Sequence, residues 1–305
     1  MEERKLAVEI AKAIGSPIDP NLKVPFVLNE IADSDTAEPG ESCWTFADDG
    51  NGDDIYTVDA NGAITTHKVS PAAATDLIFV HYNTKLEYVL VKDIMDAKDQ
   101  GALGRKKAAL ARAMDKIEVK RMLDACVALV GQDVTQASGE DIFDVIIKLK
   151  QKIEDYGDNF ILLVGSTVKN LIDTYDKDMA ATNNYKAGLQ EYLVNAGIKV
   201  VKVTGTVDIG AGQVALLNTA KAVMIARDST IAEGKPIKFI RRKISPEIAL
   251  SMGIEVDGAE RGLIVANTPI NLAGVNTLGY GVYAYESVIE AITNKRAISY
   301  CAAIS

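Results

Sequence analysis

The chain has 305 residues, 48% of them apolar, and a net charge of -9, with an isoelectric point near 4.9. That length and apolar content exclude a disordered chain and suit two compact domains or one with large appendages. The acidic balance argues against a surface built to grip phosphate, because non-specific nucleic-acid affinity comes from Lys and Arg displacing counterions.

Cys43, Cys126 and Cys301 are an odd, scattered set with no metal-ligand spacing, so neither a disulfide framework nor a zinc site is expected. The N-terminus lacks a signal-type apolar run, and the most apolar stretch, 214–226, is broken by Asn218, Thr219 and Lys221. Neither secretion nor membrane spanning is expected.

Residues 1–38 begin with a short helical candidate, Leu6 to Ile14, and end in an acidic stretch around Asp33 and Glu38. Too little of this is periodically apolar to make a core, so it reads as an arm that must lie on something else. From Cys43 to about Val91 the vocabulary is that of strands. Residues 55–58 and 63–69 flank Asn61-Gly62, a hairpin signal because Asn-Gly readily takes positive φ. Strand candidates follow at Leu77 to Tyr82 and Leu86 to Val91. A lone hairpin is marginal in water, so this one requires a packing partner.

Residues 105–130 contain neither Gly nor Pro and read as one helix, ended by Gly131 and ~39 Å long at the standard rise. Its apolar stripe changes side. Leu110, Met114 and Ile117 share one face, whereas Val119, Met122, Leu123, Cys126 and Val130 lie roughly opposite. Such a helix passes from one packing partner to another.

An alternating α/β pattern follows. Ser138, with Asp141 three residues on, is the candidate cap of a helix whose stripe is Ile142, Ile146, Leu149 and Ile153, stopped by Gly157. Residues 160–164 form a buried-strand run. Helices are expected at Thr167 to Thr174 and Tyr185 to Ala196, then a strand at Ile198 to Val203. Further strands are expected at Val214 to Leu217, Ala222 to Ala226 and Ile237 to Ile244, and a last apolar segment at Val282 to Tyr300.

Several patterns could carry chemistry. Gly210-Ala-Gly212 fits the dinucleotide-cradling glycine pattern, but that site needs a strand before the glycines and a helix after them. Here residues 204–208 separate the strand from Gly210, residues 214–218 read as strand, and Asp208 would oppose the phosphates. A flexible loop tip is the preferred reading. Ser166 and Lys169 match Ser-x-x-Lys, yet the companion motifs of serine acyl-enzymes are missing, and Ser166 is placed to cap a helix. Asp49, Asn51 and Asp53 resemble a calcium loop, with Asp54 and Ala60 at the positions that need Gly and Glu. His67 and His81 sit in strand candidates outside any nucleophile motif. The basic runs 241–243 and 105–107 read as ion-paired faces, although either could meet the acidic arm of a neighbouring copy. No catalytic residue, cofactor or metal ligand is assigned.

The order of arm, protruding hairpin, long helix with a switching stripe, α/β unit and closing strands resembles the major capsid protein of tailed bacteriophages. Its Hong Kong 97-type (HK97-like) fold is shared with encapsulins. The resemblance rests on order and spacing over nearly the whole chain, with 89–123 similar to the lead-in and spine helix and 141–172 similar to the axial domain. It implies an α+β chain divided into an N-terminal arm (1–38), an extended loop (39–90), a peripheral domain with the spine helix (91–138), an axial domain (139–220) and closing strands of the peripheral domain (221–305).

It further implies a non-enzymatic virion protein, assembled in the host cytoplasm into pentamers and hexamers that enclose double-stranded DNA without sequence-specific binding. Portal and scaffolding proteins, and a decoration protein, are the implied partners. On this resemblance Tyr56, Asn61, Gly62 and Ile64 would touch neighbouring subunits, and Asp208, Gly210 and Gly212 would form an axial loop near the capsomer axis. Lys68 and Lys85 lie in or near the extended loop, but no crosslinking motif accompanies them. The alternatives are an encapsulin-like nanocompartment shell and, in another class, a nucleotide-binding enzyme using Gly210 and Gly212.

Overall fold

The computed structural model describes residues 30–46, 75–85, 87–90, 102–181, 188–210, 212–229, 235–245, 247, 264–271 and 278–305. In chain order the strands are β1 (Ala32–Ala37), β2 (Cys43–Phe46), β3 (Thr75–Ile78), β4 (Val80–Asn83) and β5 (Glu87–Leu90). Helix α1 (Ala102–Val127) and helix α2 (Ile142–Gln151) follow, then β6 (Gly157–Val164), α3 (Ser166–Ala181), α4 (Leu189–Asn195) and β7 (Lys199–Lys202). The chain closes with β8 (Thr206–Asp208), β9 (Gln213–Ala215), β10 (Ala222–Ser229), β11 (Ile237–Arg242), β12 (Ile264–Asn271), β13 (Leu278–Ile292) and β14 (Ile298–Cys301).

Two sheets carry the fold. In the larger, β13 runs 15 residues and is shared: it pairs antiparallel with β12, β5, β4 and β11 along its length, and β1 adds in parallel to β11. The smaller sheet has the order β14-β10-β6-β7, with the parallel pair β6 and β7 joined through α3 and α4. Residues 222–229 and 298–301, expected to close the peripheral sheet, belong instead to this smaller sheet. The reason is register: the continuous apolar run of β10 matches the equally apolar β6, and both are buried on two faces. The last apolar segment is likewise two strands, broken by a short 3-10 turn at Lys295–Ala297.

Alternation along β6 and β10 divides the core. Phe160, Leu162, Val164, Ala222 and Met224 face α2, α3 and α4, packing on Val145, Ile146, Leu149, Ile172 and Leu193. Ile161, Leu163, Val223 and Ile225 face the other way, onto Val119, Met122, Leu123 and Cys126 of α1, with Ile237, Phe239 and Val288 of the larger sheet completing that layer. The N-terminal half of α1 instead sets Leu110 and Met114 on Ala284. The stripe changes side because the helix leaves one sheet and becomes wedged between two. Val130, assigned to the second stripe, lies beyond the helix end and is 96% exposed.

The start of α2 also differs from expectation. Asp141, not Ser138, is the N-cap: its Oδ1 accepts the amides of Phe143 (3.0 Å) and Asp144 (3.1 Å), and Asp144 reaches back to the Asp141 amide. An aspartate caps better beside the positive end of the helix dipole. The predicted stripe of α2, Ile142, Ile146, Leu149 and Ile153, is buried.

Helix α3 runs past the expected stop at Thr174 to Ala181. There Asp176 accepts the amides of Gly188, Leu189 and Gln190, closing the open end of α4 from a neighbouring helix. Burial opposes ionisation of Asp176, but these three hydrogen bonds prevail and hold its carboxyl below the usual range.

Candidate functional site

The glycine pair lies in a hairpin. Strands β8 and β9 pair antiparallel, Asp208 opposite Gln213, and the tip between them holds Gly210 at φ 93 and Gly212 at φ 116. Both values are left-handed, which L side chains adopt at a cost. Asp208 Oδ1 accepts the Gly210 amide at 2.9 Å, an Asx-type turn that fixes the entry to the tip. A dinucleotide cradle requires a helix to begin after the glycines, where its amides receive the pyrophosphate, whereas here the strand Gln213–Ala215 begins. The structure therefore brings Asp208, Gly210 and Gly212 together as one exposed tip.

The base of this hairpin is anchored. Val207, Leu216 and Leu217 are buried against the C-terminal half of α1, and the Leu216 amide donates to Gly205 O at 3.0 Å. Beyond that base β9 is exposed throughout, with Ile209 53% and Val214 36% accessible. Between β9 and α1 runs a cleft of about 220 Å³, lined by apolar Leu123, Val127 and Leu216 and by charged Lys120, Asp124 and Lys221.

The amides of Thr167 and Val168 donate to Thr219 O, so a loop carbonyl closes the start of α3 in place of the expected Ser166 hydroxyl. Gly165 makes this possible: a Cβ there would collide with the carbonyl oxygens of Asn218 and Thr219. Lys169 pairs with Asp173 one turn along α3. His81 stacks on Tyr285, whose hydroxyl lies 2.9 Å from Nδ1.

The basic run 241–243 is paired within its own chain. Lys243 meets Glu38 at 2.7 Å, and Arg242 donates to Glu41 O and covers the Phe79 ring. The run is the ion-paired face expected from the sequence, and Glu38 at the end of the arm is one of its partners.

Arg241 anchors an internal ionic cluster. Its Nε and Nη2 grip both oxygens of Glu118 on α1 at 2.9 and 2.8 Å. Nε also lies 3.0 Å from Glu286 on β13, and Nη1 donates to Ser34 on β1. Glu118 and Glu286 are fully buried. Four residues further along β13, past Val288, Glu290 accepts the Tyr82 hydroxyl at 3.3 Å, with Arg121 Nε at 4.0 Å and the Arg121 guanidinium over the Tyr82 ring. Burial first, then repulsion from Glu118, outweigh Arg121 and Tyr82 and raise the Glu290 carboxyl to about 6.

Sequence reasoning missed this cluster. The available signal was a glutamate between Ile117 and Val119, where the apolar stripe of the helix changes side, together with Glu286 and Glu290 on the same face of a mostly apolar strand as Val288.

Tyr56, Asn61, Gly62, Ile64, His67, Lys68 and the acidic turn 49–53 lie outside the described residues, as do the side chains of 105–107.

No protein-family model matches the sequence, and no curated protein matches it. Solved structures do match in fold. A putative capsid protein of a prophage of E. coli CFT073 superposes with a TM-score of 0.55 at 9% identity, over 99% of this chain and 98% of that one. The mature capsid of bacteriophage PhiM1 gives 0.54 at 14% identity, over 90% and 86%. The holo-SrpI encapsulin complex of Synechococcus elongatus PCC 7942 gives 0.53 at 10% identity, over 93% and 89%. This α+β chain has the Hong Kong 97-type fold that these shell proteins share.

Proposed function

We propose that the protein is a major capsid protein of a tailed bacteriophage, a non-enzymatic subunit that assembles into the pentamers and hexamers of an icosahedral shell around double-stranded DNA. The observation that carries the reading is coverage. The likeness to a prophage capsid protein runs over 99% of this chain, which leaves little room for a catalytic module grafted onto the fold.

On this reading β11, β12, β13 and α1 form the peripheral domain. The smaller sheet with α2, α3 and α4 forms the axial domain, to which the chain returns through β10 and β14. Residues 1–38 are the arm and 39–90 the extended loop, with Tyr56, Asn61, Gly62 and Ile64 meeting neighbouring subunits. The Asp208–Gly212 tip meets a neighbour around a capsomer axis, where left-handed glycines suit a loop that must serve rings of five and six.

Each such contact is repeated throughout a closed shell, so assembly adds stability that one subunit lacks. A net charge of -9 suits a container that must release its DNA. The protein works in the virion after assembly in the host cytoplasm, with portal, scaffolding and decoration proteins as partners.

Electron microscopy of the purified full-length chain, alone and with lysate from the producing phage, tests the proposal. Uniform shells or rings of five and six are expected, and a persistent monomer in both conditions overturns it. The encapsulin neighbour, equal in fit, favours a second reading: a nanocompartment shell that holds protein cargo. Nuclease-protected double-stranded DNA in native particles selects the capsid, and a stoichiometric protein cargo without DNA selects the compartment.

A further inference from the structure

We propose that Glu290 is a proton-binding site built into the junction between α1 and the larger sheet, and that its protonation tightens the seat of the helix. The inference rests on the ionic cluster and is independent of the assembly reading.

Glu290 lies on the face of β13 that carries Glu286 and Val288, turned toward α1. The groups that face it can be taken element by element. Helix α1 contributes Arg121 and Glu118, β4 contributes Tyr82, β11 contributes Arg241, and β13 itself contributes Glu286. With Glu290 itself these amount to three carboxylates, two guanidinium groups and one hydroxyl in a largely buried layer. Arg241 is committed to Glu118 and Glu286 at 2.8 to 3.0 Å. Arg121 is shared between the Tyr82 ring and a 4.0 Å approach to Glu290, and its side chain is 42% exposed. Glu290, with only 10% of its side chain accessible, is thus the carboxylate whose cation is farthest and wettest. A proton there removes the surplus negative charge at the smallest loss of pairing.

The direction of the effect follows from the raised carboxyl. The folded protein holds the Glu290 proton up to a pH of about 6, against an ordinary value of 4.5. Stability from this group is therefore fully present below 4.5 and is lost as the pH rises through 6. Mild acid strengthens the junction, the reverse of the usual response of a paired carboxylate.

The test is urea unfolding of the full-length chain from pH 4.5 to 7.5, comparing the parent with Glu290→Gln, which mimics the protonated form. At pH 7.5 the variant should unfold with an equilibrium constant about thirty-fold smaller than the parent, the value of 1.5 pH units of linkage. The gap should close by pH 4.5. A variant as stable as the parent or less stable at pH 7.5, or a gap that does not change with pH, overturns the proposal. Arg121→Met supplies an independent arm. Loss of the guanidinium should move the midpoint of the parent's pH dependence above 6, and a midpoint moved downward refutes the assignment.

Discussion

The two faces of the smaller sheet are buried by opposite means. Toward α2, α3 and α4 the packing is mostly apolar side chains at alternate strand positions, with capping groups at the helix ends and the buried Ser299 hydroxyl donating to Leu149 O. Toward α1 the same sheet meets an apolar layer that continues, across the helix, into the buried cluster of Arg241, Glu118 and Glu286. The first face gains its stability from area removed from water. The second also specifies geometry, because charges taken out of water must meet partners at one distance and one angle. The difference suits a junction where one helix must keep its rotation between two sheets.

The sharpest break of that contrast is Arg241→Ala, which leaves Glu118 and Glu286 buried without their guanidinium. A loss of about 4 kcal/mol is expected in denaturant unfolding of the full-length chain. Leu162→Ala, on the apolar face, should cost about 3 kcal/mol through lost transfer energy and a residual cavity, with little dependence on pH. Equal and pH-independent losses for the two would mean that the ionic layer behaves as ordinary packing. Asp141→Ala removes the cap of α2 and the acceptor of the Tyr175 hydroxyl at 2.9 Å, and should cost about 1 kcal/mol by the same measurement.

Gly212→Ala gives the smallest effect on the subunit. A Cβ there meets open space, so only the left-handed backbone is penalised, by about 1 kcal/mol or less. Its larger consequence is expected in assembly. Particle yield by electron microscopy should fall while the unfolding midpoint barely moves, and unchanged yield would free the hairpin tip of an inter-subunit role.

Legibility in the sequence followed locality. The stripe of α2 and the change of stripe within α1 could be read because periodicity depends only on neighbours three and four residues apart. The α2 cap was displaced because two acceptable capping groups stood three residues apart, and Asp141 has both the charge and, with Asp144, the reciprocal capping box. Of the closing strands, β10 and β14 join the smaller sheet, which was not legible because an apolar run such as 222–226 states that it is buried on both faces and not beside which strand. At the candidate site, the failure of Gly210 and Gly212 as a cofactor cradle was visible in the strand-like residues after them. The Glu290 layer was not, since its members come from four elements between Tyr82 and Glu290.

The sequence by itself determined helix α2, the double role of α1 and the two-sided burial of β6 and β10, because each follows from the spacing of apolar residues along the chain. Only the tertiary structure decided that β10 and β14 return to the smaller sheet, that the end of the arm pairs with β11, and that Arg241 and Arg121 serve three buried glutamates. Those outcomes depend on contacts between residues as many as two hundred positions apart, where distance and register in space carry the energy and sequence order does not.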